Sequence, residues 1–208
     1  MNVSANVLKR FVIYMAILTF VMFTVWAFVK SFMNRPPGDY ETEVCDIRLK
    51  DKEYGKALDA ANEALLKTPN HRGAVMCKAL VFISQKKYIE ATEELNNLII
   101  FLEKNVEEDD KTGKGTLAAA YANRGIIKDR KKDYEGALKD YVKALGIDDE
   151  AVAGPGLGTI ILNYKFKSSS VKERALYLNE QLQLPENERV LSIKELDEGQ
   201  VMHKPSKL

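Results

Sequence analysis

Apolar residues are unevenly distributed along this chain. From Phe11 to Val29, 19 positions (29 − 11 + 1) contain no charged residue, Gly or Pro, and Tyr14, Thr19 and Thr24 are the only polar interruptions. Such a run predicts a helix that is apolar all round and satisfies its own backbone groups in lipid. At ~1.5 Å rise per residue, about 20 residues cover a ~30 Å hydrocarbon core. Lys30 can snorkel, so the predicted transmembrane helix is 11–33, preceded by a short head, 1–10. Trp26 and Phe28 sit near one end, where aromatic side chains anchor at an interface. The competing reading is a cleaved secretory signal. Its apolar core would be shorter, about 7–15 residues, and Phe28-Val29-Lys30-Ser31-Phe32-Met33 offers no small-residue cleavage site. A buried soluble helix would need neighbours on every face. Asn34-Arg35-Pro36-Pro37-Gly38 then forms a linker, 34–38, that a helix cannot cross.

Beyond Gly38 a pattern recurs. Lys52-Glu53-Tyr54-Gly55-Lys56-Ala57-Leu58, Lys86-Lys87-Tyr88-Ile89-Glu90-Ala91-Thr92 and Lys132-Asp133-Tyr134-Glu135-Gly136-Ala137-Leu138 each place an aromatic three residues before an alanine. Tyr54 to Tyr88 is a step of 34 (88 − 54), and Tyr88 to Tyr134 is a step of 46 (134 − 88), which is one period plus an insertion of 12. A fixed period of about 34 residues belongs to helix–turn–helix arrays. The third copy adds Gly125 in its first helix and Tyr141 and Ala144 in its second. The first adds Ala61, Ala64 and Pro69, and the second Ala79, Phe82, Leu95 and Leu98.

On these residues the chain resembles tetratricopeptide repeats (TPR) from about Asp39 to Asp149. The resemblance implies an all-α protein: an N-terminal transmembrane helix followed by an α-solenoid of about three repeats and a degenerate capping helix pair. The expected domain is 39–184, with repeats at about 39–71, 72–102 and 118–149, a charged insertion at 103–114, and a degenerate pair at 153–184. A C-terminal tail, 185–208, would be either mobile or laid along the repeats. Departures from the family pattern are the weak aromatic early in the first repeat, and Glu103 and Asp149 in place of the closing proline. In the degenerate pair, 157–166 is apolar, and Ser168-Ser169-Ser170 is expected to cap a helix from about Val171 to Leu184.

Charge and rare residues narrow the chemistry. With 31 Lys+Arg against 30 Asp+Glu, the net charge of +1 gives no basic surface for nucleic acid. Only His71 and His203 are present, neither beside a Cys, Asp or Ser arranged for catalysis, so no enzyme activity, metal, cofactor or small-molecule substrate is expected. Ala153-Gly154-Pro155-Gly156-Leu157-Gly158-Thr159 lacks the Lys-Ser/Thr of a phosphate loop and follows a helix rather than a strand. The insertion lacks calcium-loop spacing and reads as a solvated loop, or as a lengthened helix end plus loop. Cys45 and Cys77 fall, by the resemblance, in neighbouring leading helices. They read as buried small residues, with a disulfide as the alternative.

In the family, first helices line a concave groove that binds a partner protein. The resemblance places Met76, Leu80, Ile83, Ala122, Asn123, Ile126, Asp129 and Arg130 there. One subclass grips a C-terminal carboxylate with basic and Asn side chains. At those places stand Thr42, Asp46, Cys77, Ala119 and Asn123, and only Asn123 matches, so the surface is more apolar and an amphipathic helix or extended peptide is the expected occupant. The reading is a membrane-anchored adaptor or scaffold in a membrane or envelope assembly or biogenesis complex, with a chaperone-like holdase for translocated or maturing proteins as the alternative. Lys9 and Arg10 precede the span and Lys30 and Arg35 follow it. The count is nearly balanced, and the adjacent basic pair in the short head leans to an N-inside anchor, which in a bacterial inner membrane puts the repeats in the periplasm. The alternative is a cytoplasmic domain.

Overall fold

The computed structural model describes residues 4–33, 35–152 and 170–193, with Asp197, Gln200 and His203. The glycine-rich stretch 153–159 and the apolar stretch 157–166 of the expected degenerate pair lie outside the described residues. Eight α-helices are described: α1 (Ala5–Met33), α2 (Asp39–Lys50), α3 (Tyr54–Lys67), α4 (Arg72–Ser84), α5 (Tyr88–Asn105), α6 (Lys111–Arg130), α7 (Tyr134–Ile147) and α8 (Val171–Leu182).

Helix α1 is longer than its apolar run. Ser4 O accepts from the N–H groups of Val7 and Leu8, so Lys9 and Arg10 extend from its first turns rather than from a separate head. Capping, and not the last apolar residue, sets a helix end. Ala5–Lys30 has a mean hydropathy of 2.3 and no buried part, which makes it long and apolar enough to cross a membrane. Its hydroxyls bond to the helix's own carbonyls, Thr19 Oγ1 to Met15 O and Thr24 Oγ1 to Val21 O, each at 2.8 Å.

The linker is fastened to the first helix pair. Gly38 has φ 95°, a left-handed conformation that glycine adopts without strain. A Cβ there would also lie 3.0 Å from His71 Cδ2. Thr68 Oγ1 donates to Pro37 O at 2.8 Å, and Arg35 pairs with Glu43 at 2.9 Å. His71 caps α4 by accepting from Ala74 N through Nδ1, which leaves Nε2–H to donate to Asp39 Oδ1 at 2.9 Å.

Three antiparallel pairs follow, α2–α3, α4–α5 and α6–α7, and α4 packs against α2, α3, α5 and α6. This is an all-α, TPR-like solenoid. Tyr54, Tyr88 and Tyr134 each open a second helix. The residue two before each tyrosine, Lys52, Lys86 or Lys132, is left-handed, with φ of 60°, 60° and 66°. In all three turns that lysine's N–H bonds three residues back, and the next N–H bonds five back (Glu53 to Arg48 O, Lys87 to Phe82 O, Asp133 to Lys128 O). These are Schellman closures, and they carry the period of the sequence into the backbone.

Small residues permit the close approaches. A Cβ on Gly125 would lie 2.6 Å from Tyr141 Cε1. Ala57, Ala91 and Ala137 are fully buried at the matching place of each second helix. Tyr134 is only half-buried, so Tyr141, with 1% of its surface exposed, is the more important aromatic of the third pair. Cys45 of α2 and Cys77 of α4 are joined in a disulfide, the alternative to two free buried thiols.

The insertion takes the second of its two expected forms. It lengthens α5 to 18 residues and α6 to 20. The intervening loop is tied back: Asp110 caps α6 through Gly113 N at 2.7 Å and pairs with Arg72 of α4 at 2.6 Å. The Gly113 N–H and then the Arg72 guanidinium hold the Asp110 carboxyl below its ordinary pKa. Helix α8 starts as expected, with a reciprocal capping box between Ser170 and Glu173. It ends at Leu182 rather than Leu184, in a turn ahead of Pro185.

Candidate peptide-binding groove

The predicted groove residues lie on two neighbouring first helices: Met76, Leu80 and Ile83 on α4, and Ala122, Asn123, Ile126, Asp129 and Arg130 on α6. All are buried except Arg130, which is exposed. The C-terminal segment contributes to that burial. Asn123 holds the main chain of His203 at both ends: its Oδ1 accepts from His203 N at 2.9 Å and its Nδ2 donates to His203 O at 2.7 Å. The same Nδ2 lies 3.5 Å from Met76 Sδ, so α4, α6 and the tail meet at this point.

Nearly two helical turns on, Asp129 is shared among three side chains. Arg174 of α8 donates to both of its oxygens at 2.7 Å, Nε to Oδ2 and Nη2 to Oδ1. Gln200 Nε2 donates to Oδ2 at 2.7 Å and Tyr141 OH donates to Oδ2 at 3.2 Å. Arg174, 1% exposed, also donates to Leu191 O at 3.0 Å and pairs with Asp197 at 3.0 Å, while its buried Nη1 has no partner among the described residues. Burial, with the Asp129 charge beside it, raises the Tyr141 hydroxyl well above its ordinary pKa. Burial works against the Arg174 charge, but Asp129 and Asp197 outweigh it and raise the pKa. Burial alone lowers the His203 imidazole to about 4, so the ring is neutral where it sits. A small cavity beside it is lined by Ile126, Tyr141, Val171 and Arg174.

The other clamp positions are spent elsewhere. Thr42 bonds to Gly38 O, Cys77 is in the disulfide, and Ala119 is fully buried. His71 serves the linker and the α4 cap. Among the described residues no group of three or more His, Cys, Asp or Glu could hold a metal.

Sequence reasoning did not anticipate two features. Arg174 was hidden because its partner, Asp129, lies 45 residues away. The second is an ion pair on the α5–α7 side of the molecule. Lys78 meets Glu94 at 2.7 Å, and one 46-residue step later Arg124 meets Asp140 at 2.8 Å, joined there by Lys128 and Asn96. A comparison at matched register would have exposed this pair, because the first repeat carries apolar Val44 and Ala60 at the same places.

No protein-family model matches the chain, and no curated protein matches it. Among solved structures it is similar to the Sgt2 TPR domain from Aspergillus fumigatus, at 18% identity and a TM-score of 0.47. The similarity covers 77% of this chain and 93% of that one.

Proposed function

We propose that this protein is a single-pass membrane adaptor that holds a polypeptide segment of another protein against α4 and α6, as part of a membrane or envelope assembly or biogenesis complex. The observation that carries this reading is the Asn123 side chain, which gives one donor and one acceptor to the main chain of a single residue. That arrangement recognises an extended backbone whatever its side chains, as peptide-binding surfaces do. In this reading the role is non-catalytic, since the Asp129 carboxylate beside the Tyr141 hydroxyl is itself held by Arg174.

The disulfide supports the lean in membrane orientation. Disulfides persist in oxidising compartments, so Cys45–Cys77 fits repeats on the non-cytosolic side of the membrane, the periplasm in a bacterium.

The test is photocrosslinking in cells from Arg130, the exposed member of the groove set, and from Ser84 at the end of α4. One dominant stoichiometric partner is the expected result. A broad set of weak products would replace the adaptor with a holdase, and no product but the chain itself would defeat both. Mass measurement after alkylation without reduction checks the compartment, because two alkylated cysteines would place the domain in a reducing one.

A further inference from the structure

The groove already has an occupant. Asn123 reads His203 through its N–H and C=O, which every residue except proline can offer. Asp129, already bonded through both oxygens to Arg174, takes Gln200 as well. The His203 ring lies 7% exposed beside a cavity walled by Ile126, Tyr141, Val171 and Arg174; among the described residues no carboxylate lines it to receive a cationic side chain, and the Arg174 guanidinium is already paired with Asp129 and Asp197. The contacts that a bound peptide would make are therefore made by the chain itself.

We infer that the segment carrying Gln200 and His203 is a cis occupant of the groove, and that partner binding is an exchange. The incoming segment is extended, offers its main chain to Asn123, and puts an uncharged, ring-sized side chain where His203 sits. This rests on the peptide-binding reading above. It adds that the adaptor is closed by default. A tethered segment competes at an effective concentration on the order of millimolar. A free segment making equal contacts therefore binds the closed form weakly until the tail is released.

The experiment uses the full chain in detergent micelles and a fluorescent synthetic peptide with the sequence of residues 195–208, followed by anisotropy. His203→Pro in the chain removes the N–H that Asn123 accepts, and should release the tail. The expected result is at least about tenfold tighter peptide binding to His203→Pro than to the unaltered chain. Adding Asn123→Ala should abolish that gain. If circular dichroism shows that Asn123→Ala does not fold, Asn123→Asp replaces it, keeping the acceptor but losing the donor, and it should reduce the gain. Equal binding by the unaltered chain and His203→Pro, or no binding by either, overturns the inference. Crosslinking from Arg130 in His203→Pro cells separates the two claims. Peptide exchange without any crosslinked partner sinks the adaptor and leaves the cis tail standing, whereas a crosslinked partner with equal peptide binding does the reverse.

Discussion

Asp129 was expected to face a partner, yet the structure commits it to Arg174, so Asp129→Ala tests which role dominates. The substitution removes both charge-assisted bonds to a guanidinium that is 1% exposed. Asp197 and Leu191 O remain as partners, but Nη1 has none among the described residues, and Tyr141 and Gln200 lose an acceptor. Breaking a buried pair from one side costs about 3–5 kcal/mol, because the surviving charge stays desolvated. The retained Asp197 contact argues for the lower end, about 3 kcal/mol. With a urea slope of about 1–3 kcal/mol per molar, the midpoint should fall by roughly 1–3 M. The lone tryptophan, Trp26, lies in α1 and cannot report on the solenoid, so helical ellipticity in detergent is the readout. Asp129→Leu with Arg174→Met removes both charges and should recover most of the loss, since apolar replacements of a buried pair are often near neutral. A stability for Asp129→Ala within about 0.5 kcal/mol of the unaltered chain, or losses that simply add in the double variant, would refute the assignment of Asp129 as the tie between α6 and α8.

Replacing Cys45 and Cys77 with alanine opens a cross-link across a sequence separation of 32. Loop-closure entropy assigns it about 3–4 kcal/mol, and an unchanged thermal midpoint would contradict that. His203 has a folded pKa of about 4, against 6.5 when free. The seated tail thus binds fewer protons, and its stability is fully present above pH 6.5 and lost as pH falls toward 4. At pH 5 the loss is about 2 kcal/mol, so peptide exchange should quicken on acidification, and a pH-independent rate would count against a buried ring. Gly125→Ala forces a Cβ to 2.6 Å from Tyr141 Cε1 and should destabilise by about 1–3 kcal/mol through overpacking. A gain in stability, as helix propensity alone predicts, would show that α6 and α7 are not so close.

Much of this molecule could be read from its sequence because the relevant forces are local or periodic. An uncharged run of 19 residues (29 − 11 + 1) has few outcomes other than a membrane-length helix. Tyr54, Tyr88 and Tyr134 mark the same turn three times because each repeat meets the same packing problem, and Gly125 is small because Tyr141 needs its space. The capping box at Ser170 and Glu173 is four residues long and needs nothing else. Tertiary structure decided what covers the groove. Residues suited to line a concave face are also suited to pack beneath a strip of chain, so Leu80 and Ile126 read the same in either case. Only the fold brings His203 to Asn123 across 80 positions, and Arg174 to Asp129 across 45. Neither contact leaves a local trace, because a hydrogen bond to a main chain places no demand on the side chain it meets, and an ion pair can draw its partner from anywhere in the chain. The disulfide belongs to the same class: the sequence offered two small residues in adjacent helices, and their joining depended on how closely α2 and α4 pack.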